Sequence, residues 1–474
     1  MEQYYVHKVL LHRDLRVNDN PALFHGTSSD NALVVYVYDK NYWQGNGKSD
    51  IQFKFAMDCL SEVSDRLRKK NIPLHIFEGN YENLKNWIEM NFPESVVFMN
   101  HFTDIGYYKK STDKFKRFYA DLKRLKIYEN FGIQTKNFNR DVWSSDWQQI
   151  MTKPILSEVE TSSPMIFKNI ELNTFENFFS KLTSIKQITE SQVGGETRAF
   201  ELLNTFLKER ANGYALKMSS PVEAEFACSR LSAHIAFGSI SLRTVYQSLM
   251  EAIPNSFFKK DLYSFKKRLH WHCHFIQKLE TEPELEFSSM HPMCDKLRGE
   301  GDNEIIEKWI KGETGFPFLD ACMQFLKKKG WINFRMRAMI MSFASYNLWQ
   351  PWQKTSPLLA QLFVDYEPGI HICQVQMQSG VTGINLPRIY SVNKQSMDQD
   401  PDASWIKSQI PQLNNFPASS IHNAELAETY KEIICDPKAT AKKARETIWS
   451  MRADKNFKRI AREVYLKHGS RLRK

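Results

Sequence analysis

Residues 31–78 read NALVVYVYDKNYWQGNGKSDIQFKFAMDCLSEVSDRLRKKNIPLHIFE. The runs LVVYVY at 33–38 and LHIF at 74–77 are short and rich in β-branched and aromatic residues, as buried strands are. Between them Phe53, Ala56, Leu60, Val63 and Leu67 recur at steps of three and four, which places them on one face of a helix. Two apolar strands joined by such a helix make a right-handed parallel crossover rather than a hairpin. Outward from this unit, KVLL at 8–11, SVVFM at 95–99 and QTKNF at 134–138 are further strand candidates. Residues 1–138 are therefore expected to form an α/β domain with a parallel, Rossmann-like sheet. No GxGxxG follows the first strand, so the ordinary dinucleotide fingerprint is absent.

Residues 139–195 are polar and irregular, with SSP at 162–164 and GG at 194–195, and read as a long connection. From Glu196 the period is helical, at 199–207, 265–279, 304–310, 318–326 and, longest, 331–349. Residues 196–474 are expected to form an all-α domain. Of the 474 residues, 42% are hydrophobic and 25% charged, which excludes a chain disordered as a whole. No run approaches the roughly 18 apolar residues of a membrane helix, and the N-terminus lacks the signal-peptide pattern. The seven cysteines contain no CxxC, so neither a compact zinc site nor a disulfide framework is expected. These features point to a cytoplasmic protein with reduced thiols. The net charge is +10, but residues 439–474 alone carry 12 Lys/Arg against 3 Asp/Glu. That tail reads as a solvated basic helix with a frayed end, and the body is close to neutral.

Four stretches hold candidate chemistry. WINFRMRAMIMSFASYNLW at 331–349 is apolar nearly all round, so Arg335 and Arg337 inside it need an anion. Asp365 and Glu367 are available as partners, and an anionic ligand is the other possibility. In CSRLS at 228–232, hydroxyls and free N–H groups at a helix start suit a phosphate, or only cap the helix. In HWHCH at 270–274 the helical flanks leave only His270 and His274 on a shared face, and no nearby carboxylate completes a metal site. Trp271 either packs in a core or stacks on a base. DYEPGIH at 365–371, leading into QMQSGVTGIN at 376–385, is too polar for a core connector. Read as residues alone, the chain is an α/β domain plus a helical domain that binds a phosphorylated ligand.

Taken together, five ordered blocks resemble the photolyase/cryptochrome flavoproteins, nearest a divergent bacterial branch close to class I. They are HRDLRVNDNPAL at 12–23, GYALKMSSP at 213–221, CSRLSAHIAFGSIS at 228–241, GETGFPFLDACMQFLKKKGWINFRMR at 312–337 and DYEPGIH at 365–371. The resemblance implies a U-shaped FAD in the helical domain. It also implies light-driven splitting of cyclobutane pyrimidine dimers in UV-damaged DNA, single- or double-stranded, by a cytoplasmic monomer. The alternative is a cryptochrome-like blue-light photoreceptor without repair activity.

By position, the resemblance places Tyr214, Cys228, Ser229, Arg230, Leu231 and Ser232 around the FAD phosphates. It places Arg337, Asp365, Glu367 and His371 around the isoalloxazine, with His371 where photolyases carry Asn near N5. Trp271 should stack on the lesion, and Lys217, Arg335, Arg388 and Lys394 should contact DNA phosphates. Arg268 replaces a glutamate that hydrogen-bonds the dimer, and Met377 replaces the second clamp tryptophan. The stretch MNHFTDIGYYKK at 99–110 lacks the acidic folate-contact pattern, which argues against an antenna pigment. Of the family's three electron-carrying tryptophans only Trp352 aligns, the flavin-proximal one being Val375. Trp349 and Trp331 are the substitutes the sequence offers. A neutral imidazole at 371 is expected to titrate near neutral pH.

Overall fold

The protein is described here by a computed structural model covering residues 6–28, 31–45, 47–136, 138–160, 172–182, 190–426 and 430–470. Strands β1 (His7–Leu11), β2 (Ala32–Tyr38), β3 (Leu74–Glu78), β4 (Val96–Asn100) and β5 (Leu125–Tyr128) are parallel. With a short antiparallel strand β6 (Asn173–Thr174) they form one sheet in the order β5-β4-β1-β2-β3-β6. β1 and β2 pair from His7 beside Ala32 to Leu11 beside Tyr36. The crossover helix Asp50–Arg68 buries Phe53, Ala56, Leu60, Val63 and Leu67 against this sheet, the face its periodicity marks. No strand forms over 134–136. The fifth parallel strand is LKIY at 125–128, a half-exposed edge strand whose Lys126 interrupts the apolar run that marks the central strands. The SSP at 162–164 lies outside the described residues. Within 139–160, the helix Trp143–Met151 buries Trp143, Trp147 and Met151 in a core shared with helices further on.

From Glu196 onward the chain is helical, as its periodicity indicates. The longest helix is Lys259–Thr281, not 331–349. Residues 331–333 are not helical. Asn333 Nδ2 donates to the carbonyls of Met218 and Ser219 at 3.2 and 2.8 Å, the helix runs Phe334–Ser342, and Phe343–Asn347 is a π-turn. The basic tail is not simply solvated. It forms helices Pro437–Ala453 and Lys455–His468, whose Ala444, Ile448, Phe457 and Val464 are buried, with His291 stacked 3.8 Å from Phe457. The apolar sides of these helices hold them against the domain while their Lys and Arg face water.

The sheet order reverses between β1 and β4, and loops leaving the carboxyl ends at such a point are where α/β proteins place ligands and contacts. Here the loop after β1 joins the domains. Asn100 Nδ2 donates to Asp14 Oδ2 at 2.6 Å and to Asn20 Oδ1 at 2.8 Å, and Asn20 caps the helix Pro21–Gly26. This rigid loop docks on residues 237–238, with Leu15 N–H donating to the Phe237 carbonyl at 3.1 Å and Arg16 to that of Gly238 at 3.0 Å. Gly238 has φ 68°, and a Cβ there would stand 2.1 Å from the Arg13 carbonyl oxygen, so only glycine allows the approach. The docking turns Arg13 toward the helical domain.

Candidate functional site

The helical domain encloses a cavity of about 720 Å³. One end is the loop 228–232. Arg210 donates to the carbonyls of Leu202, Phe226, Cys228 and Ser229, which fixes the loop, and Gln192 Nε2 donates to the Arg230 carbonyl at 2.6 Å. Arg230 itself takes a left-handed backbone (φ 61°) and lays its guanidinium 3.9 Å from the centre of the Trp331 ring. Tyr214, Cys228, Ser229, Arg230 and Ser232 line the cavity. Leu231 does not. Its side chain is fully buried in an apolar core, so it supports the loop rather than contacting a ligand. Burial pushes the Cys228 thiol up to about 11, so it stays protonated.

The inner wall carries paired charges. Arg337 donates bidentately to Asp365 at 2.9 Å on both oxygens and to the Ile332 carbonyl at 2.7 Å. The anion that Arg337 requires is therefore Asp365. Glu367 instead pairs with Arg13, which arrives from the α/β domain and also donates to the Thr103 carbonyl at 2.7 Å. His371 Nε2 lies 3.0 Å from the Ser356 carbonyl oxygen, so Nε2 carries the proton and Nδ1 is left as an acceptor. Burial pushes His371 down to about 4, with the Arg337 cation acting in the same direction. It is neutral throughout the physiological range, which overturns the expectation that it titrates near pH 7.

Arg230 Nε, Asn333 Oδ1, Glu367 Oε1 and Gln374 Oε1 belong to cavity-lining residues and are buried without a hydrogen-bond partner. Such atoms are costly unless a ligand meets them. A flavin dinucleotide fits this set: its diphosphate accepts from the arginine end, and its N–H and O–H groups can donate to the other three, all of them acceptor oxygens.

At the mouth, Trp271 is partly exposed, with its ring stacked 5.7 Å from Phe275 and His274 edge-on at 5.0 Å. Arg268, Met377 and Arg388 also reach the cavity, and both arginines are exposed. His270 and His274 do share a helix face, but they pack on Trp143 at 5.0 and 5.9 Å. Among the described residues no group of three His, Cys, Asp or Glu stands close enough to hold a metal ion. Lys217 and Arg335 are half-buried and off the cavity wall, and Lys394 is paired with Asp398 at 3.2 Å on the surface. Of the tryptophans, Trp331 lines the cavity. Trp352 is buried and donates to Ser289 Oγ at 3.1 Å, and Trp349 lies under the Arg298 guanidinium at 4.9 Å.

Sequence reasoning missed Arg13, Asn333, Tyr366, Gln374 and the buried Lys278, all but the first lining the cavity. Arg13 sat in plain view in HRDLR, and only its pairing across the domains was hidden. A model of the FAD-binding domain of DNA photolyase matches residues 265–450, and a model of DNA photolyase matches residues 8–114. A deoxyribodipyrimidine photo-lyase of Alkalihalophilus pseudofirmus is 30% identical over 230 residues, which is 48% of this chain and 47% of that protein. One of Agrobacterium fabrum is 24% identical over 440 residues, 87% of this chain and 88% of that one. The crystal structure of a bacterial class III photolyase from Agrobacterium tumefaciens superposes with a TM-score of 0.82 at 20% identity, covering 96% of this chain and 99% of the other. Among the described residues no helix is long and apolar enough to cross a membrane.

Proposed function

Because the chain belongs to the photolyase/cryptochrome family, we propose that it is a light-driven DNA-repair lyase that splits cyclobutane pyrimidine dimers with one FAD in the helical cavity. The observation that carries this reading is a cavity with unpartnered polar atoms on its wall and, at its mouth, a partly exposed tryptophan and two exposed arginines. The FAD, when bound, supplies the electron given to the lesion on illumination. The chain supplies position and electrostatics. Arg337, fixed by Asp365, is a cation that needs no rearrangement to face an anionic ligand. His371 presents a neutral acceptor at Nδ1. Trp271 offers its face to a base flipped from the stack, and Met377 adds an adaptable apolar wall. Arg268 and Arg388 at the rim, with Lys217 and Arg335 further out, take the strand's phosphates, single- or double-stranded; Lys394 is already paired.

The assembly in this reading is a monomer, and the seven free cysteines suit a reducing, cytoplasmic setting. We assign no antenna pigment. The Arg268 and Met377 substitutions favour the photoreceptor reading, and light-dependent loss of dimers separates the two. As a first test, the FAD-loaded chain should prefer a dimer-containing oligonucleotide to the undamaged one in the dark. Trp271→Ala should lose that preference, at a cost of about 1–3 kcal/mol. Equal affinity of the parent for both oligonucleotides would reject a lesion site.

A further inference from the structure

Where the domains meet, beside the inner wall of the cavity, lies a series of buried phenols that the repair reading does not use. Tyr366 lines the cavity, and Tyr42 belongs to the α/β domain. The Lys48 ammonium bridges them, 5.1 Å from the first ring centre and 4.6 Å from the second. The Tyr42 ring lies 4.3 Å from that of Tyr108, which lies 5.5 Å from that of Tyr81. All four rings are buried.

Their hydroxyls differ. That of Tyr42 has no hydrogen-bond partner. That of Tyr108 lies 2.9 Å from His12 Nδ1 and 3.0 Å from the Tyr81 hydroxyl. His12 Nε2 lies 3.0 Å from Asp104 Oδ2. Against its burial, the His12 hydrogen bond and the Arg13 cation hold Asp104 well below the usual carboxylate range, so it accepts from Nε2–H. Nδ1 is then unprotonated and accepts the Tyr108 O–H. Burial keeps His12 neutral, down at about 4. A phenol bonded to a neutral imidazole in a dry site can lose an electron and its proton together, because the oxidised phenol is a far stronger acid than its parent.

We propose that Tyr108 is a redox-active tyrosine that supplies an electron to the cavity through Tyr42 and Tyr366 and passes its proton to His12. The proposal rests on the flavin reading of the cavity. The oxidant is a light-excited oxidised flavin. One electron leaves Tyr366, Tyr42 refills Tyr366, and Tyr108 refills Tyr42. The Tyr108 proton crosses to His12 Nδ1, leaving a neutral tyrosyl radical and an imidazolium facing the Asp104 carboxylate. The net change is one electron added at the cavity, one electron and one proton lost by Tyr108, and that proton gained by His12. A thiolate in solution then returns one electron, and His12 returns the proton.

The hole rests at Tyr108 because Tyr42 has no base for its proton. Three tryptophans of the helical domain, Trp331, Trp349 and Trp352, compete poorly. Trp331 and Trp349 each lie under a guanidinium, at 3.9 and 4.9 Å, and a cation over a ring opposes loss of an electron from it. Trp352 has only the Ser289 hydroxyl at its N–H. Lys48 opposes oxidation of Tyr42 and Tyr366 in the same way. Burial lowers it only to about 8, so it stays largely charged at neutral pH, and the Arg13 cation faces the same two rings, but the Asp104 carboxylate outweighs Arg13 at each.

A network that only joined the domains would give no radical, so the readout is electron paramagnetic resonance with ring-deuterated tyrosine. In one arm the FAD-loaded chain is illuminated with blue light and frozen, and flavin photoreduction by a thiol is followed in parallel. The parent should show a neutral tyrosyl radical, and Tyr108→Phe should lose it. Tyr42→Phe and Tyr366→Phe should slow photoreduction several-fold, and Tyr81→Phe should change neither. In the second arm the flavin-free chain is flash-oxidised with a ruthenium polypyridyl complex and persulfate. Here too the radical of the parent should vanish in Tyr108→Phe, and His12→Gln should shorten its lifetime even if Tyr108→Phe folds poorly. Failure to bind FAD would refute the reading of the cavity and leave the second arm to decide on Tyr108. Equal radical yield in parent and Tyr108→Phe, or unchanged photoreduction in Tyr42→Phe and Tyr366→Phe with FAD bound, would overturn the proposal.

Discussion

Replacing His371 with Asn should remove a pH-dependent loss of stability, so that the variant gains on the parent as the pH falls. In the fold His371 is pushed down to about 4 by burial, whereas an unfolded histidine titrates near ~6.5. As pH falls through ~6.5 the unfolded chain takes up a proton that the folded one refuses, so stability is lost between about pH 6.5 and 4 and is flat above. The gap of about two and a half pH units corresponds to ~3 kcal/mol. His371 shows part of its surface to the cavity, which brings the expected loss nearer ~2 kcal/mol. An asparagine cannot titrate, and its shorter amide does not reach the Ser356 carbonyl that His371 Nε2 meets at 3.0 Å, so the variant loses that one bond at every pH. Burial also depresses His12, His234 and His272, so both proteins will lose stability in acid. The informative quantity is the difference between them. Urea unfolding of parent and His371→Asn near pH 7.5 and near pH 4.5 should show the variant's stability relative to the parent rising by ~2 kcal/mol from the first to the second. Parallel pH profiles would refute the buried neutral imidazole.

Asp320 accepts from Thr314 N–H at 2.9 Å, Thr314 Oγ1 at 2.7 Å, Gly315 N–H at 3.2 Å and the Tyr430 hydroxyl at 2.8 Å. Asp320→Ala strands four donors and should cost about 3–5 kcal/mol in chemical denaturation. Gly238→Ala should disrupt the junction beneath Arg13, seen as raised proteolysis within residues 12–20, while the same change at Gly299, left-handed too at φ 57° but with open space for a Cβ, should not. Arg388→Ala should lower the salt slope of DNA binding by about one and weaken lesion-bearing and undamaged strands alike. A loss confined to lesion-bearing DNA would move Arg388 from the rim to the lesion.

The α/β half was legible because its central strands are continuous apolar runs and its crossover helix has one clean apolar face. β5 was hidden because an edge strand needs only one packed side and carries Lys126. The helical half was legible in period but not in boundaries. Trp331 to Asn333 look like the start of a helix by composition, yet Asn333 spends its amide on two carbonyls of residues 218–219, and this tertiary bond overrides the local pattern. At the site, Arg337 and Asp365 were readable as a pair because a buried guanidinium demands an anion. Glu367 was placed at the cavity, but its partner Arg13 is 354 positions away in the chain, and no local pattern reports such a contact. Leu231 reads as a cavity residue because its neighbours Arg230 and Ser232 line the cavity. Its side chain alternates into the core, which the motif cannot show.

The central claim is tested most directly by illuminating the FAD-loaded, chemically reduced chain with blue light on an oligonucleotide carrying one cyclobutane thymine dimer. The dimer remaining is then measured against a dark control. The account predicts that dimers disappear in the light and persist in the dark, with Trp271→Ala slower at sub-saturating DNA. An unchanged dimer yield in the light, with about one FAD per chain and damaged DNA bound, would contradict it.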